Sequence, residues 1–335
     1  MSKVTFVDIA KLAGVGTATV ERVLNARGGV RPATTEKVIL AARALNYPRL
    51  IPDEHRGIVR IEVILVRREM TFYTRLARAF ERISATLDSS IQVQRTFMDE
   101  LKPQEIADRI LRRQPRRAGL ILAVPDHPAI RRAISEAQAS GQHVVQIVTR
   151  VGGIESDFVG IDNYGAGRMA ALLLSKIQTL KGTVVALTHS HMYQVHRDRI
   201  WGFSDYFAQM KPEGKDFAHV LYGFDDVGLI SDRTYEALSK WPDLVGIYNV
   251  GGANGAVLSV LRKHPRGKHV SFVGHELTEN TEAALRDGAM SVVLDQMPEA
   301  QARRSIDMVL SRLGLLAVPV EQSPIRFVTI TPENI

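Results

Sequence analysis

The chain has 335 residues, with 43 Lys and Arg against 36 Asp and Glu, a net charge of +7 and no cysteine. Its length predicts about two to three domains, and the missing thiols exclude disulfides and thiolate metal sites. The N-terminus has no apolar signal core and no apolar run is long enough to span a bilayer, so a cytoplasmic protein without a membrane partner is expected. Residues 1–50 hold eight Lys and Arg against three Asp and Glu, so +5 of the +7 sits in the first seventh of the chain. That asymmetry predicts a polyanionic partner for this end, bound less tightly as salt rises.

In chain order, Thr5 and Asp8 stand at a capping-box spacing ahead of an apolar face of Ile9, Leu12 and Ala13. Gly14-Val15-Gly16 breaks that helix, because glycine tolerates the left-handed dihedrals of a tight turn. A second stripe, Val20, Val23 and Leu24, follows at once, with Thr17, Ala18, Thr19, Glu21 and Arg22 left facing outward. This is a helix-turn-helix layout, whose second helix can lie in the major groove of DNA. Pro32 suits the first turn of a third helix, Glu36 complements its dipole, and Val38, Ala41, Ala42 and Leu45 form its buried face.

Val4-Thr5, Asp8-Ile9-Ala10, Ala13-Gly14-Val15, Thr19-Val20, Arg22-Val23-Leu24-Asn25, Glu36-Lys37-Val38 and Leu45-Asn46-Tyr47 resemble the DNA-binding headpiece of the LacI family of repressors. The resemblance implies a homodimer on a near-palindromic double-stranded operator, with Thr17, Ala18 and Arg22 at base edges and Thr5, Thr19 and Asn25 at phosphates. Two positions depart from the family. Gly16 stands where a serine usually caps the recognition helix, and glycine brings no side-chain oxygen. Glu21 stands where the family has serine. Its carboxylate either repels phosphate, accepts from a cytosine amino group, or simply lies on a solvated face.

Residues 1–48 are thus expected to form one domain, and 49–59 a linker. The stretch 48–60 carries two prolines, Asp53-Glu54-His55-Arg56 and Gly57, a breaker-rich boundary. The family's hinge-helix pattern is absent. Leu50 or Ile51 is left as the minor-groove wedge, with Pro52 cutting any helix short.

From residue 60, short apolar runs alternate with amphipathic stretches. Strands are predicted at 61–66, 91–97, 118–124, 143–148, 183–187, 218–222, 245–248, 271–274 and 291–294. Helices are predicted at 74–87, 103–113, 128–140, 164–178, 195–210, 232–241, 252–262, 280–287 and 298–313. Such repeats demand parallel sheets covered on both faces. The expected fold is therefore α/β: two doubly wound parallel-sheet lobes behind a small all-α helix-turn-helix domain. The body, 60–335, divides into an N-lobe of about 60–161 plus 297–313 and a C-lobe of about 162–296 plus 314–335. Ligands of such sheets sit beyond the strands' carboxyl ends, here in the cleft between the lobes.

This body resembles the periplasmic sugar-binding protein fold of LacI-family effector domains, nearest the ribose-binding type. The residues that carry it are Phe72-Tyr73 after the first strand, Arg150 after the fourth, and Arg197 and Arg199 before Trp201-Gly202-Phe203. Asn249, Gly274-His275-Glu276 and Gln296 complete the set, and Thr149 and Glu276 each replace a family aspartate. The resemblance implies an effector site of Phe72, Tyr73, Arg150, Arg197, Arg199, Asn249, Glu276 and Gln296. Arg and Asn donate to hydroxyls, Glu accepts, Gln does both, and aromatic faces cover C–H patches. Each residue also has a purely structural reading. Phe72 and Tyr73 suit a helix-start core, the arginines can pair with Asp198 or Asp205, and Asn249 and Glu276 can cap helices. His189 and His191 have a metal spacing without a third ligand, so no metal or cofactor is expected.

A sugar, polyol or acidic sugar derivative is the expected effector. No Gly-x-Gly-x-x-Gly after a strand, P-loop or nucleophile elbow is present, and Gly165-Ala166-Gly167 lacks the third glycine, so no enzyme is expected. The alternative is the solute-binding component of a sugar transporter. No leucine-heptad tail follows Leu316, so a dimer is expected rather than a tetramer.

Overall fold

A computed structural model describes residues 4–25, 27–45, 47, 58–112, 115–190, 192–316 and 319–335. The wedge candidates Leu50 and Ile51, with Pro52, and the histidine at 191 lie outside the described residues. An N-terminal helical unit and an α/β body form separate compact units.

The N-terminal unit is built from α1 (Phe6–Ala13), α2 (Thr17–Leu24) and α3 (Pro32–Ala44). Thr5 caps α1 through a reciprocal box: its hydroxyl accepts from the Asp8 amide, and its own amide donates to Asp8 Oδ2 at 2.8 Å. Gly14 ends α1 at φ 67°, and α2 then starts at Gly16 with no side-chain cap. Ile9, Ala10, Val20, Val23, Leu24, Val38, Ile39, Ala41 and Ala42 form the core. Leu12 corrects the expected apolar stripe, for it is 55% exposed. Of α1, the small three-helix core takes Ile9 and Ala10, and position 12 lies at its edge.

In the body, β1 (Val59–Val66), β2 (Ile91–Met98), β3 (Gly119–Leu122), β4 (His143–Ile147) and β5 (Asp157–Val159) form a sheet in the order β2-β1-β3-β4-β5. The second sheet holds β6 (Gly182–Thr188), β7 (Lys215–Tyr222), β8 (Leu244–Asn249), β9 (Ser271–His275), β10 (Val292–Asp295) and β11 (Val328–Ile330), in the order β11-β10-β9-β8-β6-β7. The recorded pairings are parallel except that of β10 with β11. The fully buried runs, such as the four residues each of β3 and β10, are what sheets covered on both faces require.

Helices α4 (Thr71–Ser84), α5 (Pro103–Leu111), α6 (Pro128–Ala139), α7 (Asn163–Ile177), α8 (Gln194–Met210), α9 (Val227–Lys240), α10 (Asn254–Lys263), α11 (Glu279–Arg286) and α12 (Pro298–Arg312) supply the cover. The chain leaves the first lobe after β5 and leaves the second after β10, so that α12 packs on α4, β3, β4 and β5 of the first sheet. It then returns to place β11 on the second sheet. Strands β5 and β11, three residues each, escaped the sequence reading because so short a run has no measurable alternation. Among the described residues no helix is long and apolar enough to cross a membrane.

Candidate effector cleft

The carboxyl ends of the strands face a narrow cavity of about 60 Å³ between the lobes, room for a few water molecules. The lobes must therefore part to admit a hexose. Among the described residues, eight non-glycine residues have positive φ, and seven of them stand just past strand ends: Arg67 after β1, Val148 after β4, Phe224 and Asp225 after β7, Ala253 after β8, Glu276 after β9 and Met297 after β10. Left-handed backbone is disfavoured for such residues and concentrates where a binding site fixes the chain. Here it turns the side chains that follow the strands.

One wall is a buried ion network. Arg67 Nη1 donates to Asp225 Oδ2 at 2.7 Å, and Arg67 Nε lies 3.3 Å from Glu100 Oε1. Glu100 also accepts from the Tyr193 hydroxyl, and Asp225 Oδ1 accepts from the Gly252 amide at 2.9 Å. His189 Nδ1 is 3.5 Å from Asp225. Because Arg67 and Glu100 belong to the first lobe and Asp225 and Tyr193 to the second, this network spans the cleft. Burial pushes His196 down to about 3, so the imidazole is neutral.

The opposite wall centres on Arg199 and Glu276. Arg199 is 2% exposed. Its Nε donates to Asn163 Oδ1 at 2.9 Å and its Nη1 to the Val250 carbonyl at 2.8 Å. Glu276 accepts from the Gln296 amide nitrogen and, at 3.4 Å, from Arg75 Nη1, which also donates to Asp295 Oδ2 at 2.6 Å. Burial, reinforced by Asp295, pushes the Glu276 carboxyl up to about 8, against the pull of Gln296, Arg75 and Arg199. His275 shares a 2.8 Å hydrogen bond with the Tyr248 hydroxyl and is held well below its usual range by burial. In residues that line the cavity, His196 Nδ1, Arg199 Nη2, His275 Nδ1 and Gln296 Oε1 are buried without hydrogen-bond partners among the described residues. Such atoms are costly unless something polar meets them.

Of the residues proposed from sequence, Phe72, Tyr73, Arg199, Glu276 and Gln296 line this cavity. Asn249 does not. Its amide donates to the Gly252 carbonyl at 2.7 Å and to Asn254 Oδ1 at 2.8 Å, and so shapes the turn into α10. Arg150 lies on the wall of an adjoining cavity of about 290 Å³, its guanidinium 4.2 Å from the Phe158 ring centroid. Arg197 is exposed and sits in the fields of Asp126 and Asp198. The phase of α8 explains this: positions 196 and 199 share one face of a helix, and 197 falls off it.

Sequence reasoning missed Arg67, Asp225, His196 and His275. Arg67 and Asp225 each follow a predicted strand within a few residues, a signal available to any reading that ranks charged residues at strand ends. Among the described residues no group of three or more His, Asp or Glu is placed to hold a metal ion.

The outward face of α2 carries Thr17, Ala18, Arg22 and, past its end, Asn25, all exposed, with Thr19 half-buried. Glu21 is bound at 3.2 Å by Arg27.

Residues 61–314 match the periplasmic binding protein domain, and residues 5–49 match the lacI family of bacterial regulatory proteins. Catabolite control protein A of Staphylococcus xylosus is 32% identical over 117 residues, 33% of this chain and 35% of that protein. The ribose operon repressor of Halalkalibacterium halodurans is 32% identical over 119 residues, 32% of this chain and 36% of that protein. The matched stretch thus spans about a third of the curated relatives' length. Among solved structures, the glucose-galactose binding protein GanP of Geobacillus stearothermophilus superposes with a TM-score of 0.74 at 18% identity, over 83% of this chain and 99% of that one. A solute-binding protein of Burkholderia graminis in complex with D-arabinose gives 0.73 at 18% identity, over 83% and 97%. The chain therefore belongs to the periplasmic binding protein domain family and carries, ahead of that domain, the helix-turn-helix domain of the lacI family of bacterial regulatory proteins.

Proposed function

We propose that this protein is a DNA-binding transcriptional regulator, a repressor, whose operator affinity is switched by a sugar, polyol or sugar derivative held in the interlobe cleft. One observation carries the reading: a helix-turn-helix with an exposed recognition face and an interlobe cavity lined by Arg199, Glu276 and Gln296 occur in the same chain. Thr17, Ala18 and Arg22 meet base edges, while Thr5, Thr19 and Asn25 meet phosphates. A homodimer places two such helices about one turn of DNA apart, on a near-palindrome. In the cleft, Phe72 and Tyr73 face the ligand's C–H surface, and Arg199, Glu276 and Gln296 take its oxygens. The ligand acts by its differential affinity for open and closed lobes. The protein works in the cytoplasm and carries out no catalysis.

The relative named a ribose operon repressor supports this reading. The solute-binding neighbours support the alternative of a transporter's sugar-binding component, but they cover about four-fifths of this chain. A gel shift with the intact protein separates the two. Salt-sensitive, sequence-selective retardation is the regulator's outcome, and its absence at low salt leaves the transporter component.

A further inference from the structure

Arg199 is a buried cation without a carboxylate partner. Among the described residues no Asp or Glu oxygen lies within ion-pair distance of it, whereas Arg67 and Arg75 each hold two or more. Two of its nitrogens serve an amide oxygen and a peptide carbonyl, and Nη2 of this cavity-lining side chain has no hydrogen-bond partner among the described residues. Guanidinium stays charged under any physiological condition, and an uncompensated buried charge is expensive.

A second observation points the same way. Helices α4, α8, α10 and α12 begin at the cleft, at Met70, Tyr193, Ala253 and Met297, and none of these residues caps its helix with a side chain. Helices α6, α7, α9 and α11 do carry such caps, from His127, Asp162, Asp226 and Thr278. Glu299 stands in the first turn of α12, and in the first turn of α8 the Val195 amide donates to Thr149 Oγ1 at 3.5 Å, which leaves the positive dipole ends of α4 and α10 at the cleft without a side-chain acceptor from their own caps, and each favours an anion. Glu276, which lines the same cavity, is pushed by burial toward its protonated form and so offsets little of the Arg199 charge.

Resting on the effector reading above, we infer that the cleft's ligand is a polyhydroxylated carboxylate, a sugar acid, whose carboxylate accepts from Arg199 Nη2. The hydroxyls fall to Gln296, Glu276 and the neutral imidazoles of His196 and His275. The ring or chain lies against Phe72. A carboxylate suits the single free nitrogen and the narrow cavity better than the bulkier phosphate.

Isothermal titration of the full-length protein tests this with paired probes: D-galacturonate against D-galactose, D-gluconate against D-glucose, and glucose 6-phosphate. At least one acid should bind, about tenfold or more tightly than its neutral partner, the difference between a charge-assisted and a neutral hydrogen bond. R199M should erase that preference, and R199K should keep part of it. Where R199M does not fold, the wild-type pairs decide. Neutral sugars binding equally or better, no acid binding, or a preference for the phosphate overturns the inference. The gel shift stays independent: DNA binding without acid binding leaves the regulator standing and removes only the ligand class.

Discussion

Glu276 is the residue whose chemistry can be read without knowing the ligand. Its carboxyl is raised from an ordinary 4.5 to about 8 by burial first and Asp295 second. Between those two pH values the folded protein holds a proton that the unfolded chain has released. Stability therefore falls as pH rises through that window and levels off above it. The full effect is at most about 5 kcal/mol. E276Q keeps the shape and cannot ionise. Its melting temperature should match the wild type's near pH 5 and exceed it near pH 8.5, and parallel curves across the range would refute the assignment. The position was legible from sequence, because it follows a strand in Gly274-His275-Glu276. Its protonation was not, since that depends on Asp295 and Gln296, twenty residues away in the chain. Arg150 and Arg197 show the opposite failure. A motif gave their positions, but helix phase and the stacking partner Phe158 sent their side chains elsewhere.

At the scale of elements, α7 and α8 approach closely enough to place backbone against backbone. A Cβ at Gly167 would meet the Arg199 carbonyl oxygen at 2.0 Å, and one at Gly202 would meet that of Tyr164 at 2.0 Å. The two glycines let α8 settle at the depth from which Arg199 reaches the cavity. G167A or G202A must push the helices apart, and overpacking of this kind costs about 1–3 kcal/mol or more. Either variant should lower the denaturant midpoint, and it should weaken effector binding more than S175A, on the same helix but away from the contact. Sequence patterning showed that both helices exist. It did not show their closeness, because a glycine inside a helix signals close packing only once its neighbour is known. The recognition helix was legible almost whole, its stripe and its outward face alternating within eight residues. R22A should cost about 1–3 kcal/mol of operator binding and relax selectivity at the base it reads. An unchanged affinity in gel shifts would remove Arg22 from the base contacts. G16S supplies the missing cap oxygen where φ is already −75° and no atom lies within 4 Å of a new Cβ. It should stabilise the N-terminal unit by a few tenths of a kcal/mol, about the difference between Ser and Gly caps.

For the whole molecule, the alternation of strands and helices foretold two doubly wound lobes. It was silent on what holds them together when the cleft is narrow, because that depends on residues 158 apart in sequence. Arg67 and Asp225 form that hold at 2.7 Å, with side chains 8% and 2% exposed. Glu100 joins from the first lobe and Tyr193 from the second. Salt screens exposed pairs and scarcely reaches buried ones, so this clasp should survive ionic strengths that strip the N-terminal unit from DNA. D225N keeps the side chain's size and removes its charge, leaving Arg67 buried beside Glu100 alone. Breaking one partner of a buried pair typically costs about 3–5 kcal/mol, much of it here recoverable by letting the lobes part and hydrating Arg67. The variant should therefore lose less stability than that figure and show a larger radius of gyration by small-angle X-ray scattering. R67M/D225L, with no stranded charge, should recover stability while keeping the larger radius. If D225N matches the wild type in both radius and melting temperature, the clasp does not set the opening of the cleft, and the closed form rests on the apolar contacts of Met70, Phe72 and Val195 instead.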